Sequence, residues 1–176
     1  MTSQRQPLSF TLNGRRVELS AAPSAMLLDV LRGEFGLTAA KDGCRKGDCG
    51  ACTVLLDGQP VASCILPAFK AMDRNVVTVE GLGGPEALHP IQAAFIEHSA
   101  FECGFCTPGM LMVAKALLDR EADPTDDGIR LAISGNLCRC GSYNRVVRAI
   151  KAAAAARRAP GAAAGASPAT GGGAGA

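Results

Sequence analysis

At 176 residues the chain has room for one large domain or two small ones. Its formal net charge of +2 comes from 18 basic and 16 acidic residues spread along the sequence, which argues against nucleic acid as a partner. No segment approaches the roughly 20 apolar residues of a membrane span. The first predicted elements are strands: Leu8 to Leu12 and Val17 to Leu19 alternate apolar and polar residues around Asn13-Gly14, a two-residue hairpin signal. Pro23 and Ser24 precede Met26–Arg32, where Leu27, Leu28 and Leu31 recur at helical spacing, and this helix is expected to stop before Gly36. Thr53 to Leu56 reads as a strand ended by Asp57-Gly58, Val61 to Cys64 as its return, and Val76 to Val79 as the last strand. A hairpin, a crossing helix and further strands make a small α+β sheet.

Gly81, Gly83, Gly84 and Pro85 mark a break, after which the pattern is helical. Pro90 to His98 places Ile91, Ala94, Phe95 and His98 on one face. Thr107-Pro108 reads as an N-cap followed by a first-turn proline, opening a helix over Gly109 to Leu118. Asp123-Pro124-Thr125 starts a third helix, stopped by Gly135, and Ser142 is expected to cap a fourth in which Val146, Val147 and Ile150 face inward. Four short helices make a small bundle. From Ala152 the composition collapses to small residues and Arg, and Ala159 to Ala176 holds nothing larger than threonine, so that tail is expected to be disordered. The expected organisation is 1–84, 85–158 and the tail 159–176.

The eight cysteines fall into two sets, one in each half. Cys44, Cys49 and Cys52 are spaced C-x4-C-x2-C among glycines, with Cys64 following, which is the plant-type spacing for a [2Fe-2S] cluster. Cys103 and Cys106 form C-x2-C, and Cys138 and Cys140 form C-x-C, each pair just before a predicted helix start. Helix N-termini carry partial positive charge and free N–H groups, which favour thiolates. Read alone, this second set suits a four-cysteine zinc site as well as a cluster. An even number of cysteines also suits a disulfide framework. However, Met1 to Pro7 is polar and leads into no apolar run of signal-peptide length. The expected compartment is therefore the cytoplasm, where thiols stay reduced and clusters of them hold metal or do chemistry. Each half is short enough for a metal to matter, and both are expected to depend on theirs for folding.

Taken together and in order, three stretches resemble one family: Gly43–Gly58 with its three cysteines, Cys103-Gly-Phe-Cys-Thr-Pro-Gly-Met110, and Ser134-Gly-Asn-Leu-Cys-Arg-Cys140. The chain resembles the small iron–sulfur subunit of the molybdenum hydroxylases, the xanthine dehydrogenase and aldehyde oxidoreductase family. The resemblance implies a plant-type ferredoxin (β-grasp) domain followed by a four-helix domain, each with one [2Fe-2S] cluster. It implies a large partner carrying the molybdopterin cofactor and, in many members, an FAD subunit. Electrons would pass from molybdenum through the helical-domain cluster to the ferredoxin-domain cluster and on to FAD or another acceptor. No substrate site or catalytic residue is expected on this chain. A free-standing soluble ferredoxin and a zinc-stapled interaction module are the alternatives.

Two departures from the family pattern stand out. Where the family carries a glutamine whose amide approaches the pterin, this chain has Glu102, and an ionised carboxylate accepts hydrogen bonds without donating them. A solvated carboxylate at a helix end is the competing reading. The chain also has Gly141-Ser142-Tyr143 after Cys140, where many members read Thr-Gly-Tyr. His89 and His98 are isolated and are not assigned to metal, and Met110 and Met112 read as core filling. Arg139, Arg145, Arg148 and Lys151 bring positive charge near the second set, either as cluster compensation, as a docking surface or as a solvated helix face.

Overall fold

The computed structural model describes residues 4–158, and the disordered tail expected over 159–176 lies outside them. Strands β1 (Gln6–Leu12) and β2 (Arg15–Ala21) form the expected hairpin, pairing Leu8 with Leu19 and Phe10 with Val17. Its turn needs two residues in the left-handed region, and Asn13 and Gly14 supply them at φ 50° and 80°. Helix α1 (Leu27–Gly33) follows, then β3 (Thr53–Leu56), β4 (Gln59–Ala62) and β5 (Asn75–Val77), giving a mixed sheet in the order β2-β1-β5-β3-β4. Period-two alternation buries Leu8, Phe10 and Leu12 against Leu27, Leu28 and Leu31 of α1. Phe35 closes this core with an edge-on contact to Phe10 at 6.1 Å.

Strands β1 and β2 extend beyond the expected Leu8 and Val17–Leu19, and two other strands end earlier than expected. The Asp57-Gly58 turn is a tight two-residue reversal that pairs Leu56 directly with Gln59, so β4 begins at Gln59 and ends at Ala62. Cys64 therefore lies in the loop beyond the strand, not on it. Pro60 is tolerated within β4 because the strand sits at the sheet edge. Strand β5 stops at Val77 because the Asn13 side chain takes over from the ladder, accepting the Thr78 N–H at 2.8 Å and donating to its hydroxyl at 3.0 Å.

The helical half contains α2 (Pro90–Glu97), α3 (Thr107–Arg120), α4 (Asp126–Ala132) and α5 (Tyr143–Arg158). Ile91, Phe95, Met110, Leu117, Ile129, Val146 and Ile150 meet in one core. Leu55 of β3 packs on Met112 and Ala116 of α3, with Val77, Val79 and Leu82 around them, so a third, small apolar cluster joins the sheet to the bundle. Thr125 caps α4 as the sequence suggests, accepting the Gly128 N–H at 3.0 Å. The start of α3 is one residue earlier than expected. Cys106 is its N-cap, because its carbonyl accepts the first helical N–H, from Met110 at 3.1 Å, and Thr107 and Pro108 are already inside the helix.

His89, isolated in the sequence, caps α2. Its Nδ1 accepts the Ile91 N–H at 3.2 Å, while Gln92 Oε1 accepts the His89 backbone N–H at 2.8 Å, a capping box. Burial, with Lys115 and Arg157 nearby, lowers the His89 pKa, and Asp119 opposes them only in part. The folded value lies below that of the unfolded chain, about 6.5, so the cap contributes fully above that pH and is lost as pH falls through the folded value. Protonated Nδ1 cannot accept. Urea melts of the metal-loaded chain should lose about 1 kcal/mol between pH 7.5 and 5.5, and His89→Asn, which keeps an acceptor, should lose less. Equal losses in both would remove His89 from this role.

Candidate metal centres

The loop 38–50 contains no regular secondary structure, and its shape is set by its ends and by sulfur. Arg45, at φ 51°, donates to Asp42 and, at 2.8 Å, to Asp29 on α1, which pins the loop to the helix. Lys46 and Cys49 direct backbone N–H groups at Cys44 Sγ, 3.4 and 3.5 Å away. Those N–H groups and the Cys49 thiol pull the Cys44 pKa down to about 6. Cys49 goes the other way: burial raises it, against a bond from the Ala51 N–H. The loop carrying Cys64 is fixed by α1 from the opposite side, with Leu27 N–H donating to the Leu66 carbonyl at 2.8 Å and Leu28 N–H to the Ser63 carbonyl at 3.1 Å. Ser63 Oγ donates to the Cys52 carbonyl at 2.7 Å, joining the third and fourth cysteines. Burial and the Cys52 thiol push Cys64 up to about 11, although the Gly47 N–H bonds its sulfur.

The second set forms at two helix starts. Cys106 caps α3 and lies opposite Cys138, whose sulfur accepts the Ser142 N–H at 3.5 Å at the head of α5. Helix starts beside each cysteine pair predict acidified thiols, and of Cys106 and Cys138 only the second is lowered. Burial pushes Cys106 up to about 12, whereas for Cys138 the Ser142 N–H and the Cys106 thiol outweigh burial and lower it. Cys140 accepts the Cys103 N–H, but the Cys103 thiol, burial and the nearby Cys103 and Glu102 charges raise it. Tyr143 orients the segment: its hydroxyl accepts the Cys138 N–H at 2.8 Å and donates to the Asn136 carbonyl at 3.3 Å.

All eight cysteines are free thiols, and they interact in pairs: Cys44 with Cys49, Cys52 with Cys64, Cys106 with Cys138, Cys103 with Cys140. Cys44 also feels Cys64, and Cys106 feels Cys103, so the pairs gather into the two sets the sequence defines. Among the described residues no three His, Cys, Asp or Glu side chains converge closely enough for a single ion. The thiols stand as pairs, and a cluster with two irons takes two thiolates on each. The donor chemistry fits as well: four sulfurs per set, backbone N–H groups aimed at them, and a buried Thr107 hydroxyl beside Cys106 with no partner among the described residues.

Glu102 is half-exposed and forms an ion pair with Arg145, which also donates to Ser142 Oγ at 3.0 Å. His89 is engaged in the α2 cap, its Nδ1 accepting the Ile91 N–H. Of the basic residues near the second set, Arg145 meets Glu102 and Lys151 lies 3.5 Å from Asp126, while Arg139 and Arg148 are exposed.

Sequence reasoning missed the joint between the two sets. Leu137, next to Cys138, donates its N–H to the Cys49 carbonyl at 2.9 Å, and Asn136, 2 % exposed, donates from Nδ2 to the Gly50 carbonyl at 2.9 Å. The signal was a buried amide in the Ser134–Cys140 stretch, visible only once its partner, 86 residues away, is known.

Residues 10–76 match the family described as a 2Fe-2S iron–sulfur cluster binding domain, and residues 78–151 match a [2Fe-2S] binding domain. The chain is 49% identical over 153 residues to one of the subunits of nicotinate dehydrogenase from Pseudomonas putida, covering 87% of this chain and 98% of that one. It is 40% identical over 163 residues to the aldehyde oxidoreductase iron–sulfur-binding subunit of Escherichia coli K12, covering 84% and 71% respectively. Its fold matches a chain of quinoline 2-oxidoreductase from Pseudomonas putida 86 with a TM-score of 0.84 and 43% identity, over 89% of this chain and 98% of that one. These likenesses favour electron transfer over the zinc module and over the free-standing ferredoxin. The chain belongs to the [2Fe-2S] iron–sulfur subunits of the molybdenum hydroxylases, the xanthine dehydrogenase and aldehyde oxidoreductase family, and is the electron-transfer subunit of an oxidoreductase of that kind.

Proposed function

We propose that Cys44, Cys49, Cys52 and Cys64 hold one [2Fe-2S] cluster and that Cys103, Cys106, Cys138 and Cys140 hold the second. Backbone N–H groups aimed at sulfur in each set, from Lys46 and Cys49 to Cys44 and from Ser142 to Cys138, carry this reading. When bound, a cluster of this kind takes up and returns one electron. The chain supplies the sulfurs, the N–H groups that stabilise their charge, and the fixed spacing of the two sets.

Burial differs between the sets, and this supports a direction. Cys52 and Cys64 are buried, whereas Cys103 and Cys140 are exposed, with the exposed apolar residues Phe101, Phe105 and Leu137 close to them in the sequence. The helical domain would then face a large molybdopterin-binding subunit, and the ferredoxin domain would pass electrons toward an FAD subunit or another acceptor. The domain division we propose follows 1–84 and 85–158, with Val79 and Leu82 already reaching across to the helical core. No helix among the described residues is long and apolar enough to cross a membrane. We place the chain in the cytoplasm, in keeping with eight free thiols. The test is EPR of the dithionite-reduced chain with iron, sulfide and zinc analysis. Two distinct one-electron centres are expected, and a colourless, zinc-bearing chain would refute the reading.

Glu102 would meet the pterin as an acceptor, steadied by Arg145. The pair is largely solvent-exposed, so Glu102→Gln should change stability by no more than about 1 kcal/mol. It removes a negative charge felt by Cys140, so the reduction potential of the second set should rise. An EPR-monitored redox titration reads this, and an unchanged potential would remove Glu102 from the electrostatics of that centre.

A further inference from the structure

We propose that Asn136 and Gly109 are positioning residues for electron transfer between the two cysteine sets, holding the Leu137 amide on the Cys49 carbonyl. The inference rests on the two-cluster reading above. From Cys138 the backbone leads to the Leu137 N–H, across 2.9 Å to the Cys49 carbonyl, and so to the Cys49 sulfur. The two sets are thus joined by a path with a single hydrogen bond in it. The electron that leaves one set arrives on the other, with no covalent bond broken and no proton transferred.

Three features hold that hydrogen bond in place. Asn136, buried, donates to the Gly50 carbonyl, and its own carbonyl accepts the Tyr143 hydroxyl. Gly50 sits at φ 68°, and a Cβ there would lie 2.4 Å from the Gly135 carbonyl oxygen and 2.6 Å from Asn136 Nδ2. Gly109 on α3 is tighter still, since a Cβ would lie 2.1 Å from the Gly50 carbonyl oxygen and 2.7 Å from Asn136 Nδ2. Backbone therefore meets backbone across the joint, with a buried amide filling the remaining space. Stacking two domains through Leu55, Met112 and Ala116 needs none of this, because that contact is apolar and lies among other residues.

The test uses the full chain with both clusters loaded, as wild type, Asn136→Leu, Gly109→Ala and the surface control Leu131→Ala, Leu131 being 76% exposed. Asn136→Leu removes the donor at similar volume, and Gly109→Ala wedges the joint open. Both should keep their iron and two EPR centres, while the magnetic splitting between the reduced centres collapses. Electron equilibration after pulse reduction should slow at least about tenfold, since misplacement by ~1 Å can cost ~100-fold where geometry sets the rate. Leu131→Ala should match wild type. If Gly109→Ala blocks iron uptake, Gly109 is needed for assembly and its part of the proposal is overturned, while the iron-loaded Asn136→Leu decides the part of Asn136. Unchanged splitting and rate in an iron-loaded Asn136→Leu overturn the proposal. A wild-type chain with fewer than two centres overturns the two-cluster reading and this proposal with it.

Discussion

Cys52→Ser should lose about half of the iron of the full chain and keep the EPR centre of the helical domain, and Cys106→Ser should do the converse. The expectation follows from how each sulfur is built in. Cys52 is 2% exposed, lies in the core with Leu27, Leu28 and Val54, and gives its carbonyl to Ser63. A serine there offers a poorer metal ligand and puts a hydroxyl where no water can reach it, so the first set is lost and the local core weakened. Cys106 belongs to a different core, where Met110, Ile129 and Val146 hold α3 and α5 whether or not the ferredoxin loop is filled. The joint connects the sets through a few hydrogen bonds and one small apolar contact, which leaves each able to load alone. Iron and sulfide per chain, with EPR of the reduced variants, check this. If either serine empties both sets, the halves fold as one metal-dependent unit.

Local order was readable in the sequence because its causes are local. The Asn13-Gly14 turn, the Leu27–Leu31 stripe and the Thr125 cap each arise from residues a few positions apart. Cysteine spacing was readable for the same reason, since C-x4-C-x2-C and C-x2-C set how closely sulfurs can approach within one loop. What escaped depends on partners distant in sequence. Cys64 reads as a strand residue until the tight Asp57-Gly58 turn shifts the register and α1 captures its loop. Ser142 reads as a cap, and its carbonyl does accept the first N–H groups of α5, from Arg145 and Val146, but the bond from its own N–H to Cys138 sulfur and the one its hydroxyl accepts from the Arg145 side chain are not legible from spacing. The free Glu102 of the sequence has an ion-pair partner 43 residues away. His89 is the exception: Gln92 follows it at capping-box spacing, so its role was there to be read locally.

The acid–base pattern of the thiols explains why metal, and not merely proximity, sets the final state. In each pair one thiol is held up: Cys49 by burial, Cys64 and Cys106 by burial and a sulfur neighbour, Cys140 chiefly by the Cys103 thiol against its N–H bond. Without metal the raised partner in each pair favours its proton, because two adjacent thiolates repel, and burial adds to this at Cys49, Cys64 and Cys106. Iron held by the proposed sets would supply the positive charge that removes this repulsion, and protons would leave as it binds.

Removing iron should therefore loosen the sulfur-anchored loops first and leave the strand ladder in place. Lys46 and Cys49 have Cys44 sulfur as N–H acceptor, and Ser142 has Cys138 sulfur. A neutral thiol is a weak acceptor, whereas a metal-bound thiolate is a charged one. Once the metal leaves, these amides should exchange with solvent nearly as in the unfolded chain, while the β1–β2 ladder amides, paired from Gln6–Ala21 to Leu12–Arg15, stay protected. The damage does not stop at the loops. The Cys64 loop supplies the carbonyls that satisfy the first N–H groups of α1, and the Cys138 segment supplies the joint to Cys49. The melting temperature should fall by more than about 10 °C, equivalent to roughly 2 kcal/mol for domains of this size. Hydrogen exchange and thermal melts of the chelator-treated chain, kept under reductant, measure both effects. An iron-free chain that keeps its melting temperature and its loop protection would mean that protein contacts alone shape these loops, and that the sulfurs follow a fold they do not help to hold.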